Sequence, residues 1–202
     1  AKDSQGNEND WSDRMRSEGY SVVIGNENLN DSHFDSKLLL LSANPQGEQV
    51  GYTLDFPDQR LTAEQITTAG LRCLHNANPE RFFLMVEGGN IDWCAHANDG
   101  ATVIKEILDV QKAIRVAYDF YLQHPDETLI VVTADHDTGG MAFGRRDNEK
   151  KGRLQLVDLQ RMSKDRFSDY CQARLSQSAT FTWEEMQQVL SHNFGFFPHI
   201  EL

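Results

Sequence analysis

Short apolar segments alternate with amphipathic segments over residues 20–140. Segments 20–24, 37–42, 81–86 and 128–134 are rich in aliphatic and aromatic residues and are flanked by glycine, proline or polar residues. Runs of this length and composition predict β-strands. The continuously apolar character of the second and fourth segments predicts strands that are buried on both faces.

Helices are predicted between these strands from their capping residues. Thr62 and Gln65 have the capping-box spacing, which predicts a helix over 62–76. Asp99 is placed to cap a long helix over 99–124, which Pro125 ends. The apolar positions expected to share one face of this long helix are Val103, Ile107, Ile114, Ala117 and Tyr121.

The alternation of strands and helices predicts an α/β fold with a mainly parallel sheet. We expect residues 1–143 to form the α/β core portion, beginning with a short helix over 11–19. Residues 144–202 differ in character: 144–153 are a charged loop, and the remainder is predicted to be mostly helical, with a second capping box over 182–185. We interpret 144–202 as an insertion.

Charge and composition narrow the range of partners. Lys and Arg number 19 against 31 Asp and Glu, giving a formal net charge of −12. A nucleic-acid-binding domain shows a basic face, and docking on anionic lipid also requires basic residues, so neither partner is predicted. No segment approaches the ~20 consecutive apolar residues of a membrane span. We also expect no signal peptide in this chain, because its first residues contain no apolar stretch.

Acidic residues and histidines directly follow two of the predicted strands. The third strand leads into Glu87, then Asp92 and His96, and the fourth leads into Asp135 and His136. Ligands of open parallel sheets bind at the carboxyl ends of strands. Carboxylate oxygen and imidazole nitrogen suit zinc, and oxygen alone suits magnesium. The pattern therefore predicts a metal site, although spacing alone does not name its reaction.

A structural role remains open for each of these residues taken singly. Glu87 could be a solvated acid in a turn, Asp92 or Asp135 could cap a helix, and His96 could be a surface residue. The three cysteines, none of them in a CxxC pair, predict neither a disulfide scaffold nor a thiolate zinc site. The joint occurrence of two clusters beside glycines favours the metal site.

Two longer motifs carry a resemblance to a known family. They are Val-Glu-Gly-Gly-Asn-Ile-Asp-Trp-Cys-Ala-His-Ala-Asn-Asp at 86–99 and Val-Thr-Ala-Asp-His-Asp-Thr-Gly-Gly at 132–140. These motifs resemble the two central metal-binding motifs of the alkaline phosphatases, and the resemblance covers residues 20–143. It implies a three-layer α/β/α sandwich, here incomplete, and hydrolysis of phosphate monoesters through a phosphoserine intermediate.

The resemblance also implies a role for each candidate ligand. Glu87 would bind magnesium. Asp92 and His96 would hold the first zinc, which activates the attacking water. Asp135 and His136 would hold the second zinc, which binds the serine nucleophile.

Trp93 is the further site residue that the resemblance implies, lying near the phosphate. The family's Asp-Ser-Ala nucleophile motif has no match here, because the Asp-Ser pairs at 3–4, 31–32 and 35–36 differ in position and in the residue that follows. Its downstream His-Thr-Gly motif, which supplies the third histidine of the first zinc, is also unmatched. We therefore assign no catalytic nucleophile to this chain. We expect the isolated chain to be inactive or nearly so.

Two alternatives to a portion of an alkaline phosphatase remain. One is another hydrolase or mutase of the same superfamily, such as a phosphodiesterase or a metal-dependent phosphoglycerate mutase. The other is a non-catalytic module that binds metal or phosphate. The form of the two motifs favours the phosphatase. The resemblance implies a periplasmic or secreted parent protein, and a homodimer is the expected assembly.

Overall fold

The computed structural model describes residues 11–26, 29, 34, 37–43, 50–58, 60–141, 154–177 and 180–197. In chain order the elements are α1 (Trp11–Ser17), β1 (Ser21–Ile24), β2 (Leu38–Leu41), α2 (Ala63–Ala77), α3 (Gly89–His96), α4 (Gly100–Gln123), a 3-10 helix (Leu154–Leu159), α5 (Lys164–Ser176) and α6 (Trp183–Phe194). The predicted charged loop 144–153 lies outside the described residues. Of the helices described, none has the length and apolar character needed to cross a membrane.

The chain forms two compact units. The first takes its described residues from 1–51, 58–87 and 109–130, and the second takes them from 52–57, 88–108 and 131–202. Four of the five candidate metal ligands belong to the second unit.

The first unit contains a two-stranded parallel sheet. β1 pairs with β2 in a register that sets Ser21 opposite Leu38 and Ile24 opposite Leu41. Both strands were predicted, and their parallel pairing confirms an α/β architecture. Burial of β2 on both faces was wrong, because its residues are half-buried and Leu41 is 40% exposed. The neighbouring core consists of Leu29, Phe34, Leu61, Ala69 and Cys73.

The other two predicted strands, 81–86 and 128–134, do not form. Phe83 is 84% exposed. Leu129 is 87% exposed, so the predicted burial of 128–134 is also wrong. A strand requires a hydrogen-bonded neighbour, and no described residue pairs with either segment in a sheet. Their apolar composition is typical of buried strands, but the partner strands are not among the described residues.

Both predicted capping boxes are present. At the start of α2, the Thr62 hydroxyl accepts from the Gln65 backbone N–H at 3.1 Å, and the Thr62 backbone N–H donates to Gln65 Oε1 at 2.9 Å. Thr182 and Glu185 make the same exchange at the start of α6, at 3.2 and 3.0 Å. The short first helix ends close to Gly19, which has the expected left-handed backbone, with φ +83°.

The long helix α4 follows Asp99, whose carboxylate accepts from the Thr102 backbone N–H at 3.3 Å, as predicted for its cap. The predicted apolar face is partly wrong, because Ile107 is 46% exposed. Two acidic residues, Glu106 and Asp109, lie on the buried side instead. They can be buried there because each has hydrogen-bonding partners.

Asp109 shows how the first unit accommodates a buried carboxylate. Its carboxylate pairs with the guanidinium of Arg60 and accepts from the Ala63 backbone N–H at 2.9 Å. The pair therefore ties the first turn of α2 to α4. Arg60 also donates to the Gly51 carbonyl at 3.1 Å.

Candidate metal centre

One pair of candidate ligands is positioned by α3. Asp92 and His96 are separated by one helical turn, and Asp92 Oδ2 lies 3.5 Å from His96 Nε2. The two side chains are 44% and 69% exposed, so both remain accessible. The helix begins after Gly88, which provides no side-chain cap.

The second pair lies in the segment that follows the fourth predicted strand. The Asp135 carboxylate accepts from the His136 backbone N–H through Oδ1 at 3.1 Å, and its Oδ2 lies 3.4 Å from His136 Nε2. These adjacent residues therefore converge, although an extended backbone would direct them to opposite sides. Within each pair, one carboxylate and one imidazole lie close together.

Thr138 connects the two pairs. Its hydroxyl donates to Asp92 Oδ1 at 2.7 Å and lies 3.1 Å from His136 Nδ1. The carbonyl oxygen of Asp137 lies 3.3 Å from the same ring nitrogen. The structure therefore brings both motifs together within the second unit.

Gly139 allows this approach. Its φ is +77°, and a Cβ at this position would lie 2.5 Å from the Ala95 carbonyl oxygen. Because Ala95 immediately precedes His96, the loop after Asp135 packs directly against the last turn of α3. A glycine is required here for both the backbone conformation and the space.

A polar network around the buried carboxylate of Asp99 supports the end of α3. The carboxylate of Asp99 accepts from Gln160 Nε2 at 2.6 Å and from the Lys164 backbone N–H at 2.7 Å. Lys164 Nζ donates to the Ala97 carbonyl at 2.8 Å. The start of α5 is thus fastened to the turn that directly follows His96.

Asp55 holds the start of α5 from another direction. Its carboxylate accepts from the Ser163 backbone N–H at 2.8 Å and from the Ser163 hydroxyl at 2.5 Å. The hydroxyl in turn accepts from the Arg166 backbone N–H at 3.0 Å, as an N-cap does. Ser163 is fully buried, so this polar contact is shielded from water.

Cys94 lies between the two ligands of α3 and is buried. Burial first, and then the nearby carboxylates of Glu106 and Asp99, together raise the pKa of its thiol from 9.0 to about 12. The thiol therefore stays protonated at neutral pH. The atoms of this region that remain accessible to a metal ion are carboxylate oxygens and imidazole nitrogens.

The remaining two predicted site residues are exposed. Glu87 belongs to the first unit, and Trp93, on α3, is 62% exposed. Within the described residues, no group of three or more His, Cys, Asp or Glu side chains is arranged to hold a metal ion. The donor chemistry of the two pairs nevertheless fits zinc, since each supplies one oxygen and one nitrogen ligand.

Sequence reasoning missed the residues that hold the ligands in place. The glycines at 139 and 140 indicate a turn, but no sequence pattern identifies a role for the Thr138 hydroxyl. The contacts of Asp99 with Gln160 and Lys164 join residues about 60 positions apart, and no local pattern identifies them.

The comparisons with known proteins agree on one family. A sequence profile described as alkaline phosphatase matches residues 2–185. Alkaline phosphatase 4 of Bacillus subtilis (strain 168) is 35% identical over 126 residues, which are 62% of this chain and 26% of that protein. The chain thus spans about a quarter of the length of this curated relative.

Two solved structures share the fold. A cold-active alkaline phosphatase from the psychrophile Shewanella sp. has a TM-score of 0.72 and 28% identity, covering 96% of this chain and 45% of that chain. The alkaline phosphatase of Thermus thermophilus has a TM-score of 0.73 and 25% identity, covering 96% and 39%. The match over residues 2–185 shows that the chain belongs to the alkaline phosphatase family.

Proposed function

We propose that this chain is a portion of a metal-dependent phosphate monoester hydrolase and that it carries part of the binding site for two zinc ions and one magnesium ion. Family membership and the donor chemistry of the two pairs support this proposal. The observation that carries it is the Thr138 hydroxyl, which lies 2.7 Å from Asp92 and 3.1 Å from His136. Donors from two separate motifs are thereby held in one place.

The proposed roles follow the two pairs. Asp92 and His96 would hold the first zinc, Asp135 and His136 would hold the second, and Glu87 would bind magnesium. When bound, the zinc ions would lower the pKa of the serine nucleophile and stabilise charge on the phosphoryl oxygens.

The chain's own residues would bind the metal ions and orient the ligands. The exposed imidazoles of His96 and His136 provide nitrogen ligands, and Lys164 fixes the turn that follows His96 through the Ala97 carbonyl. Trp93, whose ring is exposed, would lie beside the phosphate. The reaction would pass through a phosphoserine, and we assign that serine to no residue of this chain.

The same proposal extends to the architecture and setting of the whole protein. The sheet would belong to a three-layer α/β/α sandwich, with 1–143 in its core and 144–202 as a mostly helical insertion. The parent protein would be periplasmic or secreted and would act as a homodimer on phosphate monoesters. Each metal site would have at most two protein ligands from this chain, so we expect weak metal binding and no hydrolysis by the chain alone.

Zinc titration by calorimetry tests this proposal. We expect saturable binding to the 202-residue chain, weakened at least tenfold in His136→Ala and unchanged in His192→Ala, which removes an exposed histidine of α6. Equal weakening by both variants would contradict the site. Release of phosphate from an aryl phosphate monoester, abolished by Asp135→Ala, would contradict the expected inactivity of the chain.

A further inference from the structure

Thr138 occupies a position that the metal ligands alone do not explain. It is not one of the candidate ligands, yet its hydroxyl contacts one ligand from each pair. We propose that Thr138 is a positioning residue that couples the two ligand pairs and fixes which nitrogen of His136 carries the proton. This inference rests on the proposed metal site and adds to it a residue that orients its ligands.

The direction of each hydrogen bond follows from what the partners can do. The Asp137 carbonyl oxygen, 3.3 Å from His136 Nδ1, can only accept, so this long contact favours a hydrogen on the ring nitrogen without fixing it there. Thr138 Oγ1, 3.1 Å from the same nitrogen, then accepts as well. The hydroxyl hydrogen of Thr138 is left to donate to Asp92 Oδ1, at 2.7 Å. Two hydrogen bonds therefore run in one direction, from His136 to Thr138 and from Thr138 to Asp92.

These two hydrogen bonds leave the ligand atoms in the protonation state that zinc needs. A neutral imidazole with its proton on Nδ1 has its lone pair on Nε2, and metal-binding histidines commonly have their other nitrogen fixed in this way. His136 Nε2 and Asp92 Oδ2 are the atoms that the Thr138 contacts leave available. Loss of the hydroxyl would release both ligands at once.

Substituting Thr138 separates its hydroxyl from its shape. Thr138→Val keeps the branched side chain and removes the hydroxyl, whereas Thr138→Ser keeps the hydroxyl. We expect zinc affinity, measured by calorimetry on the 202-residue chain, to fall 10- to 100-fold in Thr138→Val, as is typical when a group supporting a metal ligand is removed. Thr138→Ser should restore it to within about threefold of the original chain.

Thr133→Val provides the matched control. Thr133 is an exposed threonine in the same segment, and its hydroxyl donates to the adjacent Ala134 carbonyl at 3.1 Å. We expect this variant to bind zinc as the original chain does. Equal affinities in Thr138→Val and Thr133→Val would overturn the proposal.

Nitrogen-15 NMR of the metal-free chain tests the proton position independently of zinc. We expect His136 to carry its proton on Nδ1 in the original chain and in Thr138→Ser, and a mixture of the two ring forms in Thr138→Val. A proton predominantly on Nε2 in the original chain would overturn the inference. If the original chain bound no zinc but kept the Nδ1 proton, the proposed metal site would fail. The inferred hydrogen bonds of Thr138 with His136 and Asp92 would still stand.

Discussion

Gly139 lies so close to the last turn of α3 that any side chain would meet the Ala95 carbonyl oxygen. The neighbouring Gly140 has a similar backbone, with φ +60°, but a Cβ there would meet no atom within 4 Å. The two glycines therefore separate the cost of a left-handed backbone from the cost of a steric conflict. Only the steric conflict should disturb the contact between the two ligand pairs.

We predict that Gly140→Ala lowers the free energy of unfolding by about 1 kcal/mol, the ordinary cost of a left-handed non-glycine residue. Gly139→Ala should cost about 1–3 kcal/mol more, because the loop must move away from α3. Urea denaturation of both variants measures the difference. Equal losses would show that the loop does not depend on close packing against Ala95.

Two of the three cysteines should be protected from reaction. Cys73 and Cys94 are buried, and burial raises the pKa of both thiols. Cys171 is only half-buried. We predict that an alkylating reagent at pH 8 modifies Cys171 first and the other two only after unfolding, as measured by mass spectrometry. Rapid modification of all three thiols in the folded chain would contradict their burial.

The same pKa shifts give a direction for stability against pH. The unfolded chain releases its thiol protons near the ordinary pKa of 9.0, whereas the folded chain retains them to higher pH. The contribution of these thiols to stability is therefore complete below pH 9 and is lost as pH rises toward the folded pKa values. We predict that Cys73→Ala makes the decline in unfolding free energy between pH 8 and 10 shallower, and a decline of equal slope would contradict this.

At the scale of the helices, the N-caps of α5 and α6 differ in their surroundings. Ser163 is fully buried, and its hydroxyl also donates to Asp55, whereas Thr182 caps α6 at the surface. Removing the buried cap therefore leaves a carboxylate oxygen without one of its donors. Removing the exposed cap leaves groups that water can solvate.

We predict that Thr182→Ala lowers the free energy of unfolding by about 1 kcal/mol and Ser163→Ala by about 2 kcal/mol or more. Thermal and urea denaturation measure both losses. Ser163 holds the start of α5, where Lys164 supports the turn that follows His96. Its substitution should therefore also weaken zinc binding by His96. Similar losses in the two variants would indicate that water enters the Asp55 contact.

These elements show which parts of the fold are predictable from sequence. The capping boxes at 62–65 and 182–185 were predicted correctly because both partners lie within four residues of each other. The segments 81–86 and 128–134 were assigned wrongly as strands, because strand formation depends on a distant partner that composition does not reveal. The buried side of α4 was partly missed because the pattern treats Glu106 as a solvent-facing residue.

The candidate site divides in the same way. The candidate ligands can be named from the sequence because they follow apolar segments in two recognisable motifs, and their role in binding metal stays a prediction. Thr138 and the Asp99 network were not found, because their roles arise from contacts between segments distant in sequence. The assignment of each donor to a particular metal remains a prediction.

At the scale of the whole molecule, two opposing features govern association. The net charge of −12 makes copies of the chain repel one another at low ionic strength. The unpaired segments around Phe83, Leu129 and Val131 instead expose apolar side chains, with 84%, 87% and 74% of these three residues accessible. Exposed apolar segments whose backbone groups lack sheet partners can pair with another chain. Salt should therefore favour association, because it screens the charge and leaves the apolar contacts intact.

We predict that the 202-residue chain self-associates reversibly and does so more strongly in 0.5 M than in about 0.05 M sodium chloride. Val131→Lys should weaken association roughly tenfold, because a charge replaces an apolar contact worth at least about 1.4 kcal/mol. Gln111→Lys adds the same charge on an exposed part of α4 and should have little effect. Sedimentation velocity distinguishes the variants. A single monomeric species at every salt and protein concentration would show that the exposed segments do not pair, whereas equal effects of the two variants would show that association does not depend on an apolar contact of Val131.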